Sequence, residues 1–283
     1  MTSDASRRIV FGAASTTMIL WLVTWAAAQS PFTNIDLCNG KGSTSVEDKI
    51  AGCTALIKAE GSSDNSKILA NAYNNRGNGY SDKGEYQLAI QDYDASINLN
   101  PHNARTFNNR GVAYEEQGDY DRAIQDFDAA IGIDHSYADA FANRAETYQK
   151  KGDFLGALKD FDEAIRLQPK LGPPWNERCW IHAIVGELQA ALADCNEALR
   201  LLPNTAAAFD SRGLTYLKMN DWRAAITDYD SALRVDPKLP SALYGRGFAK
   251  LRTGDQSGGN ADIAAAKNLE QNIAEEFAGY GLH

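Results

Sequence analysis

The side chains of this 283-residue sequence best suited to metal or redox chemistry are its four cysteines and four histidines. Cys38 and Cys53 stand 15 residues apart, and Cys179 and Cys195 stand 16 apart. A zinc site or a dithiol oxidoreductase uses close pairs such as C-x-x-C, and the sequence has none. An even set at these spacings fits two disulfides, Cys38–Cys53 and Cys179–Cys195, or buried thiols without chemistry. His102, His135, His182 and His283 share no metal-binding spacing. A nucleophile elbow, a glycine-rich phosphate loop and an H-E-x-x-H pair are likewise missing from the sequence. The expectation is therefore a chain with no catalytic, metal or cofactor-binding residues, acting by binding and not as an enzyme.

The charged residues carry a different signal. Arginine recurs every 34 residues at Arg76, Arg110, Arg144, Arg178, Arg212 and Arg246. Aspartate recurs in step at Asp92, Asp126, Asp160, Asp194, Asp228 and Asp262. Each aspartate follows its arginine by 16 residues, which predicts an ion pair within each repeat or between neighbours. An anion-binding stripe is the rival use for six arginines, but the acids that would neutralise it recur equally. The net charge of -9 disfavours a phosphate-backbone partner, so no nucleic acid is expected.

What must position these residues is a repeated pair of helices. Counting from Ala70, the units run 70–103, 104–137, 138–171, 172–205, 206–239 and 240–273, the last degenerate. Position 4 is large (Tyr73, Phe107, Phe141, Trp175, Phe209, Leu243) and position 8 small (Gly77, Gly111, Ala145, Cys179, Gly213, Gly247). With position 11, mostly tyrosine, they share one face of a first helix. Alanine at position 20, a large residue at 24 and a small one at 27 mark the buried face of a second helix. Small residues at 8 and 20 let the helices approach closely. Glycine at position 15 ends the first helix, the acid after it suits the start of the second, and proline at position 32 stops that helix. Cys179 and Cys195 occupy positions 8 and 24 of one unit, facing each other across the hairpin at a distance a disulfide can span. Cys53 matches position 24 of a truncated upstream copy, to which Cys38 would tie the preceding strap.

The ends differ from the array. In residues 1–28, Arg7 and Arg8 precede an apolar stretch and Ala26-Ala27-Ala28, the pattern of a secretory signal peptide or, if retained, an N-terminal anchor. Residues 29–69 read as an N-terminal cap with a lone helix. Gly258-Gly259 is expected to break the pattern, with a helix from Asn260 to about Phe277 and a tail, 274–283, completing a C-terminal cap.

The recurring residues resemble the tetratricopeptide repeat (TPR) signature W-x-x-L-G-x-x-Y, then A-x-x-x-F, then A and P. One departure is constant: arginine stands where the family has leucine before the glycine. The resemblance implies an all-α fold, a right-handed superhelical α-solenoid of antiparallel helix pairs (about six TPR units) with capping helices at both ends. It also implies a protein or peptide ligand in the concave groove, lined by positions 2, 5, 9, 12 and 13 of the first helices. Those positions give a polar half with Asn74, Asn78, Arg105 and Asn108, and a more apolar half with Asn176, Trp180, Leu214, Leu217, Tyr244 and Phe248. Either the apolar half seats the anchors of a peptide, or the C-terminal cap folds over it. Some family members clamp a terminal carboxylate. Asn78 and Asn109 match the asparagine positions of that clamp, but Asn74, Asp139 and Asn143 replace its basic residues, so a clamp is not expected. The resulting expectation is an exported scaffold of the periplasm or cell envelope, or a membrane-anchored assembly scaffold if residues 1–28 are kept.

Overall fold

The computed structural model describes residues 33–41, 45–60 and 65–283; the expected signal peptide lies outside them. Among the described residues there are fifteen helices and no strand. Twelve of them form six successive antiparallel hairpins: α3 (Ser66–Asp82) with α4 (Tyr86–Leu99), α5 (Ala104–Glu116) with α6 (Tyr120–Ile133), α7 (Ala138–Lys150) with α8 (Phe154–Leu167), α9 (Gly172–Val185) with α10 (Leu188–Leu201), α11 (Ala206–Lys218) with α12 (Trp222–Val235), and α13 (Pro240–Thr253) with α14 (Gln256–Leu269). Each hairpin packs on the next, so the chain is an all-α solenoid.

Local chemistry explains the punctuation. First helices end on a residue with positive φ, glycine at 84, 118, 152, 186 and 254 and Asn220 (φ 61°) in the fifth unit, a conformation asparagine tolerates better than most residues. Asp119, Asp153, Asp221 and Asp255 then cap the second helices by accepting from the backbone N–H three residues on. The longer side chains of Glu85 and Glu187 make no such bond.

Between the helices of a unit the ring at position 24 is fully enclosed in Tyr93, Phe127, Phe161 and Tyr229. It lies so close to position 8 that a Cβ on Gly111 would meet Phe127 at 2.7 Å. In the fourth unit Cys179 and Cys195 take both places, with Cα atoms 5.3 Å apart; Cys38 and Cys53 are 4.5 Å apart. Both separations are within disulfide range.

The arginine–aspartate series forms a continuous ladder. In every unit the arginine Nε and Nη2 donate to the two carboxylate oxygens of its aspartate at 2.6–2.8 Å. The remaining nitrogen, Nη1, crosses to the preceding unit: to Asp94 from Arg110, Asp128 from Arg144, Asp162 from Arg178, Asn196 from Arg212 and Asp230 from Arg246. Arg76 reaches Thr54 of the cap instead. The pairing thus runs both within units and between them, and it occupies all three guanidinium nitrogens that an anion would need.

Both caps differ from the sequence expectation. The N-terminal cap is not a lone helix: α2 (Val46–Glu60) is preceded by a five-residue helix, α1 (Asn34–Cys38), started by a capping box between Thr33 and Asp36. At the other end Gly258-Gly259 does not interrupt the pattern. Asp255 caps α14 at Gly258, and Gly259 lets α14 close on α13, where a Cβ would lie 2.8 Å from the Gly247 carbonyl oxygen. A separate helix, α15 (Ile273–Gly279), follows in place of one helix from Asn260 to Phe277.

Candidate functional site

The first helices of the units line one face of the solenoid, and the expected groove residues separate there into three groups. Asn78, Arg105 and Asn108 come together around a cavity of about 510 Å³, with Asn109, Asn143 and Glu146. Its asparagines bond to one another across unit boundaries. Asn143 Nδ2 donates to Asn108 Oδ1 at 2.9 Å, and Asn109 Nδ2 donates to Asn78 Oδ1 at 2.9 Å and to Asn74 Oδ1 at 3.2 Å. Asn74 is buried beneath this network and is not a lining residue, a correction to its expected place in the groove. Arg105 is exposed at the rim.

Asn176 and Trp180 belong to a second cavity, of about 400 Å³, between α7, α9 and α11, with Gln149, Glu177 and Asp210. Glu177 accepts from Asn176 Nδ2 at 3.1 Å and from Gln149 Nε2 at 3.3 Å. Asp210 accepts from Ser241 Oγ at 2.8 Å through one carboxyl oxygen, while the other is buried without a partner among the described residues. Burial pushes the Asp210 carboxyl up to about 7 against the Ser241 hydrogen bond, with Glu276 adding repulsion. Glu146 is likewise pushed up to about 7, by burial and then by Glu177 and Glu115.

The third group is not available as an open peptide seat. Leu217 is fully buried and Leu214 only 4% exposed, in one core with Ile273 and Phe277 of α15. Tyr244 lies against Phe277, ring centroids 4.7 Å apart, and Phe248 packs on the same cluster. Tyr280 extends the cover to Trp180 at 5.7 Å, and Lys218 Nζ donates to the Tyr280 carbonyl at 2.9 Å. Of the two uses open to the apolar half, the fold shows the cover. The physical reason is that α15 offers Ile273 and Phe277, apolar surface that would otherwise face water.

Sequence reasoning did not single out Gln149, Glu177 and Asp210. Gln149 and Asp210 stand at groove positions, so the only available signal was polarity at those positions; Glu177, at position 6, stands one residue beside them. Their convergence from three units is visible only in the fold.

Two family models match the chain: one described as TPR repeat over residues 77–118 and 213–254, the other as tetratricopeptide repeat over 104–137 and 138–171. Among solved structures, a tetratricopeptide repeat protein from Parabacteroides merdae is similar at 17% identity and TM-score 0.62, over 83% of this chain and 92% of that one. Pseudomonas aeruginosa pilF is similar at 16% identity and TM-score 0.65, over 75% and 98%. YrrB, described as a TPR protein with an unusual peptide-binding site, is similar at 24% identity and TM-score 0.57, over 69% and 98%. No curated protein matches the chain significantly in sequence.

Proposed function

The chain is a tetratricopeptide repeat protein, and on that premise we propose that it is a non-catalytic scaffold that binds an extended polypeptide along the open part of its concave face. The observation that carries this reading is the pair of cavities, about 510 and 400 Å³, lined by polar side chains of the first helices. Amide side chains there can hydrogen-bond a peptide backbone, and the similar fold of YrrB is one described as having a peptide-binding site. The protein works after export, in the periplasm or cell envelope, with Cys38–Cys53 and Cys179–Cys195 oxidised. The basic and apolar pattern of residues 1–28 and the two close cysteine pairs support this.

Selecting peptides from a random library on the full chain tests the reading. Asn78→Ala combined with Arg105→Glu is expected to weaken the selected peptides about tenfold, while a substitution at the exposed Leu155 on a second helix leaves them unchanged. Equal binding by both variants contradicts the placement. A second reading, a membrane-anchored assembly scaffold, draws on the same apolar N-terminal stretch. Mass spectrometry of the N-terminus of the protein from its own cells decides between the two: an intact residue 1 favours the anchor, and a start near Gln29 favours export as a free protein.

A further inference from the structure

The cavity between α7, α9 and α11 holds an unusual set of polar atoms. The side-chain carbonyl oxygens of Gln149 and Asn176 and one carboxyl oxygen of Asp210 are buried and have no hydrogen-bond partner among the described residues. Asn176 is only 7% exposed. The orientation of both amides is fixed, because each points its NH2 at Glu177, which can only accept when ionised. The two amide oxygens are therefore acceptors, and the Asp210 oxygen is one when its carboxyl is ionised, as a cation beside it favours. A buried acceptor left unpaired costs free energy, and three around one cavity call for a donor-rich occupant.

The charge and shape of the cavity narrow the occupant. Its lining includes Glu177, Asp210 and Asp236 and no lysine or arginine. Trp180 is among its lining residues. A group that brings several N–H donors, a positive charge and a flat face suited to an aromatic ring is a guanidinium. An ammonium brings three donors and no flat face.

We propose that this cavity is a subsite for an arginine side chain of the bound polypeptide, with Gln149, Asn176 and Asp210 accepting from the guanidinium and Trp180 flanking it. Glu177 acts as a positioning residue that holds the two amides in the accepting orientation. The inference rests on the reading that the concave face takes a polypeptide.

An immobilised library of ten-residue peptides tests it, each peptide made with arginine, lysine or citrulline at its central position and probed with the full chain. Arginine peptides are expected to bind about tenfold better than their citrulline counterparts, which lack the charge, and several-fold better than the lysine ones. Asp210→Asn, the isostere of the neutral acid and so compatible with the fold, is expected to abolish most of the preference for arginine over citrulline. Glu177→Gln is expected to reduce the preference partially. Peptides that bind equally well with all three residues overturn the arginine subsite and leave the polypeptide reading intact. An arginine preference that survives Asp210→Asn places the subsite elsewhere and overturns this assignment. A library with no binding member overturns both.

Discussion

Position 9 of the first helix carries Asn78, Val112 and Glu146 in units one to three and Trp180, Leu214 and Phe248 in units four to six. In the first set Asn78 and Glu146 border an open cavity; in the second Leu214 and Phe248 lie in a core completed by α15. The scaffold beneath is the same throughout, with the Arg–Asp rung in every unit. The division of the face is therefore made by the few positions the fold leaves free, not by the repeat itself.

Removing the cover is the largest perturbation. Deleting residues 273–283 exposes the surface buried under Ile273 and Phe277, each about 1.5–3 kcal/mol when fully buried. A loss of roughly 3–6 kcal/mol for the pair, with new binding of an apolar dye, is expected in thermal unfolding. An unchanged melting temperature would mean that α15 does not seal the apolar half.

Breaking a rung tests whether the scaffold really is common to both halves. Arg144→Leu leaves Asp160 buried and unpaired, its side chain 3% exposed, at a cost of roughly 3–5 kcal/mol. Arg212→Leu, in the sealed half, strands Asp228 in the same way and should lower the melting temperature similarly. Intact stability with lost ligand affinity would instead make the arginines part of the binding surface.

A smaller effect should follow pH. Asp210 and Glu146 are both raised to about 7, from ordinary values of 3.8 and 4.5. Between those limits the folded chain keeps protons that the unfolded chain has lost, so the two groups make stability fall as pH rises from about 4 to about 7. Asp210→Asn and Glu146→Gln should each flatten that part of the melting-temperature profile, and profiles parallel to the unmodified chain would show the carboxyls to be ordinary. The smallest change is at a helix start. Asp255→Ala removes a cap from α14 and costs about 1 kcal/mol, whereas Glu85→Ala, which removes no capping bond, should leave thermal unfolding nearly unaltered.

Much of this was legible in the sequence because the repeat reports its own geometry. A residue pair at a fixed offset in six copies, such as Arg144 and Asp160, has to face across every hairpin, and the same offset places Cys179 opposite Cys195. The reach of Arg Nη1 to the preceding unit depends on how hairpins stack, which the offset does not report. Glycine pairs often end helices, so Gly258-Gly259 predicts a C-terminal boundary; in the fold a close helix–helix approach requires one of them instead. The groove was harder still. Leu214 and Tyr244 have the same composition as peptide anchors or as the floor beneath a cap, and only the position of Phe277 separates these uses. The convergence of Gln149, Asn176 and Asp210 spans three units and has no one-dimensional signature.

Hydroxyl-radical footprinting of the full chain tests the division of the concave face most directly, with Leu155, 79% exposed, as internal reference. The account predicts that Leu214 and Leu217 resist oxidation in the full chain and become reactive once residues 273–283 are removed. Oxidation of these residues in the full chain at a rate comparable to Leu155 would contradict it.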